Sequence, residues 1–508
     1  MFGRTETSAI IGIDGAPVLV EADYGDGLPS FDIVGFLGQE VREAKERVKS
    51  ALKNSGIHAE PGKLTVSLSP ADLRKSGNSF DLPIAMAILI AFGTVPQSMT
   101  DGFVFFGELA LDGRLRPVRG TLSHVILARQ RGLRGCIVPR ENAREAAVFP
   151  DFPVYAFDSL SEVLAFILAP DASMREEPLL EEEDRPSLRE DFSEVLGQES
   201  VKRAAVVASA GMHGLLMIGP PGTGKTLTAR RIPTILPPLT DEERIECTKI
   251  ASVAGTLGHT SGLVRMRPFR APHHTISANA LVGGGVVPRP GEMSLAHDGV
   301  LFLDELPEFS KSTLEVMRQP LEDREVVITR THGSYLFPTR VMLVAAMNPC
   351  KCGYYPDRSR CKCSEMEVRK YLSRLSRPLL DRIDISVEVP RVSGEDLRRA
   401  DPGMDSAAMR EQVIRAWEIE KARYASEGIL FNSQLSGARI RQYCRLGEEE
   451  EEMLSEAFEA LGLSARAHDR ILKVARTIAD LEGTADITKR HLAEAISYRQ
   501  LDRRFFGG

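Results

Sequence analysis

Eight consecutive residues carry the clearest chemistry in this chain of 508 residues. They are Gly219-Pro220-Pro221-Gly222-Thr223-Gly224-Lys225-Thr226, and they match the pattern GxxxxGK(S/T) at every fixed position. Such a loop, placed between a strand and a helix, directs backbone N–H groups and the positive end of the helix dipole at a polyphosphate. We expect Lys225 to reach the β- and γ-phosphates and the Thr226 hydroxyl to be a ligand of Mg²⁺.

A second motif supplies two carboxylates. The apolar run Val300–Leu303 ends on Asp304 and Glu305, which predicts a buried strand with both acids at its carboxyl edge, beside the glycine loop. We expect Asp304 to hold Mg²⁺ through water and Glu305 to polarise an attacking water molecule. A strand that ends on an acid is common by itself. The motif indicates a nucleotide site here because a complete glycine loop precedes it in the chain.

Two more polar residues follow predicted strands or helices. The apolar run Val341–Met347 ends on Asn348, whose amide could orient the water or sense the γ-phosphate. Arg382 lies in the stretch Leu379-Leu380-Asp381-Arg382-Ile383-Asp384, between carboxylates. Two interpretations of Arg382 stay open: a plain ion-pair residue, or an arginine finger that reaches the nucleotide of a neighbouring subunit.

These motifs need a strand, a loop and a helix in the right order, and the flanking sequence supplies them. Leu215-Leu216-Met217-Ile218 is short and apolar enough for a buried strand, and residues 227–232 read as the start of a helix. The alternative, a glycine turn with an incidental lysine, does not account for this context.

The chain divides into four segments by composition. Residues 1–168 indicate a compact α+β unit, and residues 169–190 form an acidic, proline-containing linker. Residues 191–392 alternate strand-like and helical runs, which is typical of an α/β domain with a parallel sheet. Residues 393–508 have almost no strand signal and predict a helical domain.

The bulk composition is that of a soluble protein, with 43% hydrophobic and 27% charged residues. No apolar run approaches the roughly 18–20 residues that span a bilayer, so we expect no membrane partner. The first residues lack the basic start and apolar stretch of a signal peptide, so we expect a cytoplasmic location.

The order GPPGTGKT, LFLDE, AAMN, LLDRID resembles the AAA+ ATPases of the magnesium-chelatase clade, and within it the ComM/YifB family. The resemblance extends over essentially the whole chain. It implies an AAA+ core with a helical lid, ATP as the nucleotide, and a homohexameric ring with ATP at the subunit interfaces. It also implies that Val195 and Gln198 lie near the adenine and that Asn348 is sensor 1. By the same resemblance, Arg382 is the arginine finger and Arg466 is the sensor-2 arginine of the lid.

Two basic tracts favour DNA binding, although the net charge of the whole chain is −7. Residues 247–291 and 326–356 contain no Asp or Glu. Residues 326–335 predict two strands around a turn, and the resemblance implies that this hairpin and a helix-2 insert around residues 276–292 line the central pore. We therefore expect Arg289, Arg330 and His332 to contact DNA phosphates without reading sequence. Chance clustering of arginines is the alternative interpretation.

The resemblance implies a branch-migration helicase in recombination and natural transformation. A protein-remodelling ATPase that drives a separate partner, as in metal chelatases, is the competing class. ATP-dependent unwinding of a DNA junction would discriminate the two.

The N-terminal segment resembles the Lon protease domain, of ribosomal-S5-like fold, through residues 75–83 and 107–117. Ser79 falls where Lon has its nucleophile, but Thr121-Leu122-Ser123-His124 offers no lysine where Lon has its base. A serine without a base is a poor nucleophile, so we expect no proteolysis. Whether the domain serves assembly or contacts DNA stays open.

Four of the seven cysteines cluster in an insertion at 350–363: Cys350, Cys352, Cys361 and Cys363. Two pairs of thiolates can close a tetrahedral Zn²⁺ site, although C-x-C is tighter than the usual spacing. We predict zinc that stiffens a surface insertion; a reduced, metal-free loop is the alternative.

Overall fold

Three units follow one another in the computed structural model, which describes residues 1–57, 62–178, 190–258, 262–331, 333–391 and 403–506. They are an N-terminal α+β unit, an α/β core and a C-terminal helical unit. None of the helices in these ranges combines the length and apolar character needed to cross a bilayer.

The N-terminal unit is built on a seven-stranded sheet in the order β3-β4-β2-β1-β5-β8-β9. Two further strands of the unit, β6 and β7, pair only with each other among the described residues. The strands of the unit are β1 (Phe2–Ile11), β2 (Asp14–Gly25), β3 (Ser30–Val34), β4 (Lys63–Ser69), β5 (Phe103–Phe105), β6 (Glu108–Leu109), β7 (Leu115–Arg116), β8 (Gly135–Pro139) and β9 (Val154–Phe157). Its helices are α1 (Gln39–Asn54), α2 (Asp81–Ala91), α3 (Gln97–Thr100), α4 (Thr121–Gln130), α5 (Ala143–Ala146) and α6 (Leu160–Leu168). Helix α2 is buried on every side, as its run of apolar residues predicts.

The first residues of the predicted linker still pack on this unit. The Glu176 amide donates to the Val154 carbonyl over 2.9 Å, and Arg175 forms a β-bridge with Tyr155. Residues 179–189, which hold most of the predicted acid cluster, lie outside the described residues.

The core contains a five-stranded parallel sheet in the order β11-β14-β17-β10-β18. The core strands are β10 (Leu215–Ile218), β11 (Phe269–Arg270), β12 (Gly283–Gly284), β13 (Arg289–Pro290), β14 (Gly299–Leu303), β15 (Glu325–Arg330), β16 (Gly333–Pro338), β17 (Val341–Met347) and β18 (Ile385–Glu388). Successive residues of β10 face opposite sides of the sheet: Leu215 and Met217 join one apolar cluster, Leu216 and Ile218 another. The sheet is therefore covered on both faces, as parallel sheets require.

Nine described helices belong to the core: α7 (Glu199–Gly211), α8 (Lys225–Ile235), α9 (Asp241–Ala254), α10 (Ala278–Val282), α11 (Glu292–Leu295), α12 (Lys311–Val316), α13 (Arg318–Asp323), α14 (Glu365–Leu372) and α15 (Arg377–Leu380). Helix α9 has sharp ends: a Thr240–Glu243 capping box begins it, and Gly255 ends it at a φ of 76°. Strands β15 and β16 form a separate antiparallel hairpin, as the sequence predicts.

The C-terminal unit is helical, with α16 (Ser406–Arg423), α17 (Ala438–Tyr443), α18 (Glu448–Leu461), α19 (Ala465–Leu481), α20 (Lys489–Ser497) and α21 (Gln500–Phe506). Its apolar residues share one cluster with α7 of the core, so the unit is docked against the sheet domain. The predicted fold class, an α/β core on a parallel sheet with an α+β domain before it and a helical unit after it, is confirmed.

Candidate functional site

The glycine loop follows β10 and opens helix α8. Gly222 and Gly224 have φ values of 76° and 88°, a left-handed conformation that favours glycine at both positions. The helix begins at Lys225, so its first amides face the loop. These features match an anion-binding helix N-terminus.

The Lys225 ammonium group sits inside the loop, and its acceptors among the described residues are all neutral. Its Nζ donates to the carbonyls of Gly219 (2.8 Å) and Pro220 (2.7 Å) and to Asn348 Oδ1 (3.2 Å). Burial lowers the pKa of Lys225 to about 8, although the charges of Asp304 and Glu305 oppose the shift. The amine is thus held beside Asn348, in the cleft next to the glycine loop.

The hydroxyl and carboxylate predicted for magnesium are in direct contact. Thr226 Oγ1 donates to Asp304 Oδ2 over 2.7 Å, and the Glu305 amide donates to Asp304 Oδ1 over 2.9 Å. Hydroxyl and carboxylate oxygens are the hard ligands that Mg²⁺ prefers, so the donor set fits this ion.

Glu305 is held in a left-handed backbone conformation, with a φ of 51°. Its Oε2 lies 3.6 Å from Nδ1 of His274, a histidine that the sequence reasoning did not assign to the site. A non-glycine residue at such a φ is uncommon and clusters at functional positions.

One cleft of about 220 Å³ collects these groups at the carboxyl edge of the sheet. Its lining includes the glycine loop with Lys225, Thr226, Asp304, Glu305 and Asn348. The predicted convergence is explained by the parallel sheet, because β10, β14 and β17 all end at the same edge.

The two residues expected near the adenine precede helix α7. Gln198 Nε2 donates to the Thr223 carbonyl over 2.7 Å, while its buried Oε1 has no hydrogen-bond partner among the described residues. Val195 is buried in the apolar cluster of the sheet.

Arg382 and Arg466 lie away from this cleft. Both line a second cavity of about 350 Å³, which also contains Gly214, the residue just before β10. The glycine loop follows the other end of β10, a four-residue strand about 13 Å long. The two arginines are therefore at the opposite edge of the sheet from their own chain's glycine loop.

Arg382 forms an ion pair with Glu322, and its side chain is 16% exposed. Arg466 is exposed at the start of α19. Arg324, Arg470 and Lys473 also line the cavity, and the sequence reasoning missed all three together with Glu322. Glu322 and Arg324 lie at the end of α13, and Arg470 and Lys473 lie in α19, so two segments far apart in the chain supply these residues and no single local pattern marks them.

The two segments predicted to line a pore meet each other. Arg330 at the end of β15 donates from Nε to the Gly285 carbonyl of the insert over 3.3 Å. Arg289 in β13 is exposed, and Val286 at the tip of the insert is 81% exposed. His332 lies outside the described residues.

The four cysteines converge with their sulfur atoms all within 4.8 Å of one another. Three of the Sγ–Sγ distances are 3.4 Å (Cys350–Cys352), 3.7 Å (Cys350–Cys361) and 3.6 Å (Cys352–Cys361). Tetrahedral zinc with Zn–S bonds of about 2.3 Å separates its sulfurs by about 3.8 Å, so the thiols fit this ion.

The cysteine insertion is not purely superficial. Cys350 and Cys361 are buried, and Gly353 has a φ of 87°. A Cβ at Gly353 would lie 2.5 Å from Pro221 Cδ, so the insertion packs directly on the glycine loop.

Ser79 of the N-terminal unit has no activating base in the described part of the chain. No described side chain hydrogen-bonds its hydroxyl, and Lys75, which is buried, donates to the Pro70 carbonyl instead. His124 Nδ1 bonds to Ser8 Oγ at 2.5 Å, and burial lowers the pKa of His124 to about 4.

Comparisons with known proteins agree with this geometry. The family model for the magnesium chelatase subunit ChlI matches residues 191–397, a second ChlI model matches residues 20–142, and the model of the ChlI C-terminal region matches residues 403–499. The YifB protein of Salmonella typhimurium is 42% identical over 498 residues, 98% of this chain and 97% of its own.

Two further relatives are informative. The competence protein ComM of Haemophilus influenzae is 42% identical over 502 residues, 97% of each chain. The magnesium-chelatase 38 kDa subunit of Cereibacter sphaeroides is 24% identical over 264 residues, 49% of this chain and 71% of its own.

Proposed function

Since the chain belongs to the ComM/YifB family of magnesium-chelatase-like AAA+ ATPases, we propose that it is a ring-shaped, ATP-driven motor that moves branch points in DNA. The observation that carries the proposal is the meeting of the two acid-free segments, where Arg330 of the hairpin bonds to the insert that holds Arg289. The relative named as a competence protein points to recombination of incoming DNA as the setting.

Hydrolysis would use the groups of the cleft in distinct roles. Lys225 would exchange its carbonyl and amide acceptors for oxygens of the β- and γ-phosphates. Thr226 and Asp304 would hold Mg²⁺, which neutralises phosphate charge when bound. Glu305 would polarise the attacking water, and Asn348, which already contacts the Lys225 amine, would orient that water as sensor 1.

Adenine recognition would fall to the segment before α7. The unpartnered Gln198 Oε1 is a buried acceptor that the exocyclic amine of adenine could satisfy. The bond from Gln198 Nε2 to the Thr223 carbonyl fixes this side chain relative to the glycine loop. Val195 would supply apolar contact beside it.

The distant position of Arg382 and Arg466 supports catalysis between subunits. Neither arginine lines its own chain's cleft, so each would act on the nucleotide of a neighbour. Contacts between two different edges of the same chain are heterologous, and they close into a ring when the rotation permits. Glu322 would have to release Arg382 as the neighbour's nucleotide arrives. Six subunits is the number that the family implies.

DNA binding would be electrostatic and indifferent to sequence. Arg330 and Arg289 would contact phosphates, and the imidazole of His332 would add a further donor. Each neutralised phosphate adds about 0.7–0.9 to the log–log slope of affinity against salt concentration.

A charge reversal at Arg330 tests the DNA function. We expect Arg330→Glu to weaken DNA binding and DNA-stimulated ATPase, and to flatten the salt dependence, while basal hydrolysis stays near wild type. Arg415→Glu is the matched control, because Arg415 is 65% exposed on α16 of the lid. If forked DNA fails to stimulate the wild-type ATPase and junctions stay intact with ATP, the protein-remodelling alternative takes over.

We also propose that the four cysteines hold one zinc ion, on the strength of the sulfur distances. The N-terminal unit would be non-proteolytic, since Ser79 lacks a base.

A further inference from the structure

The turn between β1 and β2 is buried against the core. Ile13 is 4% exposed, although it occupies a two-residue turn, where side chains usually face water. Its apolar neighbours are Ile250 of α9 and three residues of the β15–β16 hairpin: Val326, Ile328 and Phe337. The N-terminal unit therefore inserts one side chain beneath the hairpin predicted to contact DNA.

The turn also touches the hairpin backbone. Gly12 has a φ of 66°, and a Cβ there would lie 2.6 Å from the Leu336 carbonyl oxygen. Only a residue without a side chain allows this approach, so the distance between turn and hairpin is closely set.

Polar contacts fix the same unit to the helix beside the hairpin. Lys249 of α9 forms an ion pair with Asp14, the first residue of β2. Ser252 of α9 accepts from the Gly120 amide over 2.8 Å and donates to Glu145 of the N-terminal unit. Helix α9 and the N-terminal unit are thus joined at two separate points.

The β15–β16 hairpin lies outside the five-stranded sheet of the core. Strands β15 and β16 form a two-stranded sheet of their own, and such a hairpin is marginally stable without packing on one face. Its outer face leaves Val327 53% and Leu336 46% exposed. Its inner face is the one that packs with Ile13, Ile250, Val282 of the insert and Leu295 of α11.

We propose that the N-terminal unit is the anchor of the β15–β16 hairpin, with Ile13 as the positioning residue. The unit, α9 and the hairpin then move as one body when ATP is hydrolysed. The effect on DNA rests on the proposed function, whereas the anchoring itself does not.

Hydrogen exchange tests the anchor without reference to DNA. In the full-length chain, Ile13→Ala removes most of a buried side chain, and we expect exchange of the β15 and β16 amides to speed up about tenfold or more. The matched control is Ile33→Ala, in β3, which is an edge strand of the seven-stranded sheet of the N-terminal unit. It should leave the hairpin amides at their wild-type rates, and α19 amides should be unchanged in both variants.

The same variants then report on function. We expect Ile13→Ala to retain basal ATPase and to lose at least about half of its stimulation by forked DNA, with Ile33→Ala near wild type. Unchanged exchange in the hairpin overturns the anchor. Faster exchange with wild-type stimulation overturns its functional role. If hairpin exchange is faster in Ile13→Ala but DNA does not stimulate the wild-type ATPase, the anchoring role is supported and the proposed DNA motor is refuted. If Ile13→Ala does not fold, the smaller change Ile13→Val serves, with a proportionally smaller expected effect.

Discussion

ATP binding should weaken as the pH rises through the pKa of Lys225. In the free protein the Lys225 amine is buried among carbonyl and amide oxygens, and burial lowers its pKa to about 8 from the ordinary 10.5. A bound triphosphate places negative charge at the same amine and stabilises its protonated form. Binding therefore takes up a proton whenever the free amine is neutral.

The size of the effect follows from that shift. At about pH 7 roughly ten-elevenths of the free protein carries a protonated Lys225, and at about pH 9 roughly one-eleventh does. If the bound form stays protonated throughout, the apparent affinity for ATP falls about tenfold across this window. Below about pH 7 the affinity should be level as far as this group is concerned.

A fluorescent ATP analogue titrated at about pH 7, 8 and 9 in the presence of Mg²⁺ measures the trend. Lys225→Arg is the control, because a guanidinium keeps its charge across the window. Thiols and other groups that titrate there are shared by both proteins. An affinity that stays flat in the wild type, or that falls equally in Lys225→Arg, refutes the assignment of the proton to this amine.

Three other predictions concern the same machinery. Glu305→Gln should bind ATP normally and lose about 100-fold or more in turnover, as measured by equilibrium binding beside steady-state hydrolysis; near-normal turnover would contradict its role. Arg382→Ala and Lys225→Ala should each be inactive alone, yet a titrated mixture should regain activity through interfaces that keep both groups; a mixture with no gain would contradict action between subunits. Protein purified without chelator should contain about one zinc per chain by elemental analysis, and Cys361→Ser should lose it. A wild-type protein without zinc would favour the alternative, a reduced, metal-free loop.

The cleft could be predicted from sequence because each of its motifs is local. The glycine loop, the acid pair and Asn348 each follow a short apolar run, and parallel strands bring their carboxyl ends to one edge. The hairpin predicted over residues 326–335 is likewise local, and the structure has it as β15 and β16.

The remaining features depend on residues far apart in the chain. Nothing near Ile13 indicates that it is buried, since its partners Ile250, Val326 and Phe337 follow more than two hundred residues later. The pairing of Arg382 with Glu322 is likewise decided by how two helical segments pack. The sequence predicted that the cysteines would cluster, but not that Gly353 would rest on the glycine loop.

Because the turn at Ile13 is buried against the core, the units on either side of the linker are not independent of each other. A shortened protein starting near residue 190 would expose the apolar surface of Ile250, Val326 and Phe337 to water, and contiguous exposed patches of this kind promote aggregation. Conversely, a protease site engineered between residues 179 and 189 should yield two fragments that travel as one particle in gel filtration. The linker separates the two units along the sequence, but the contacts around Ile13 hold them together in the folded protein.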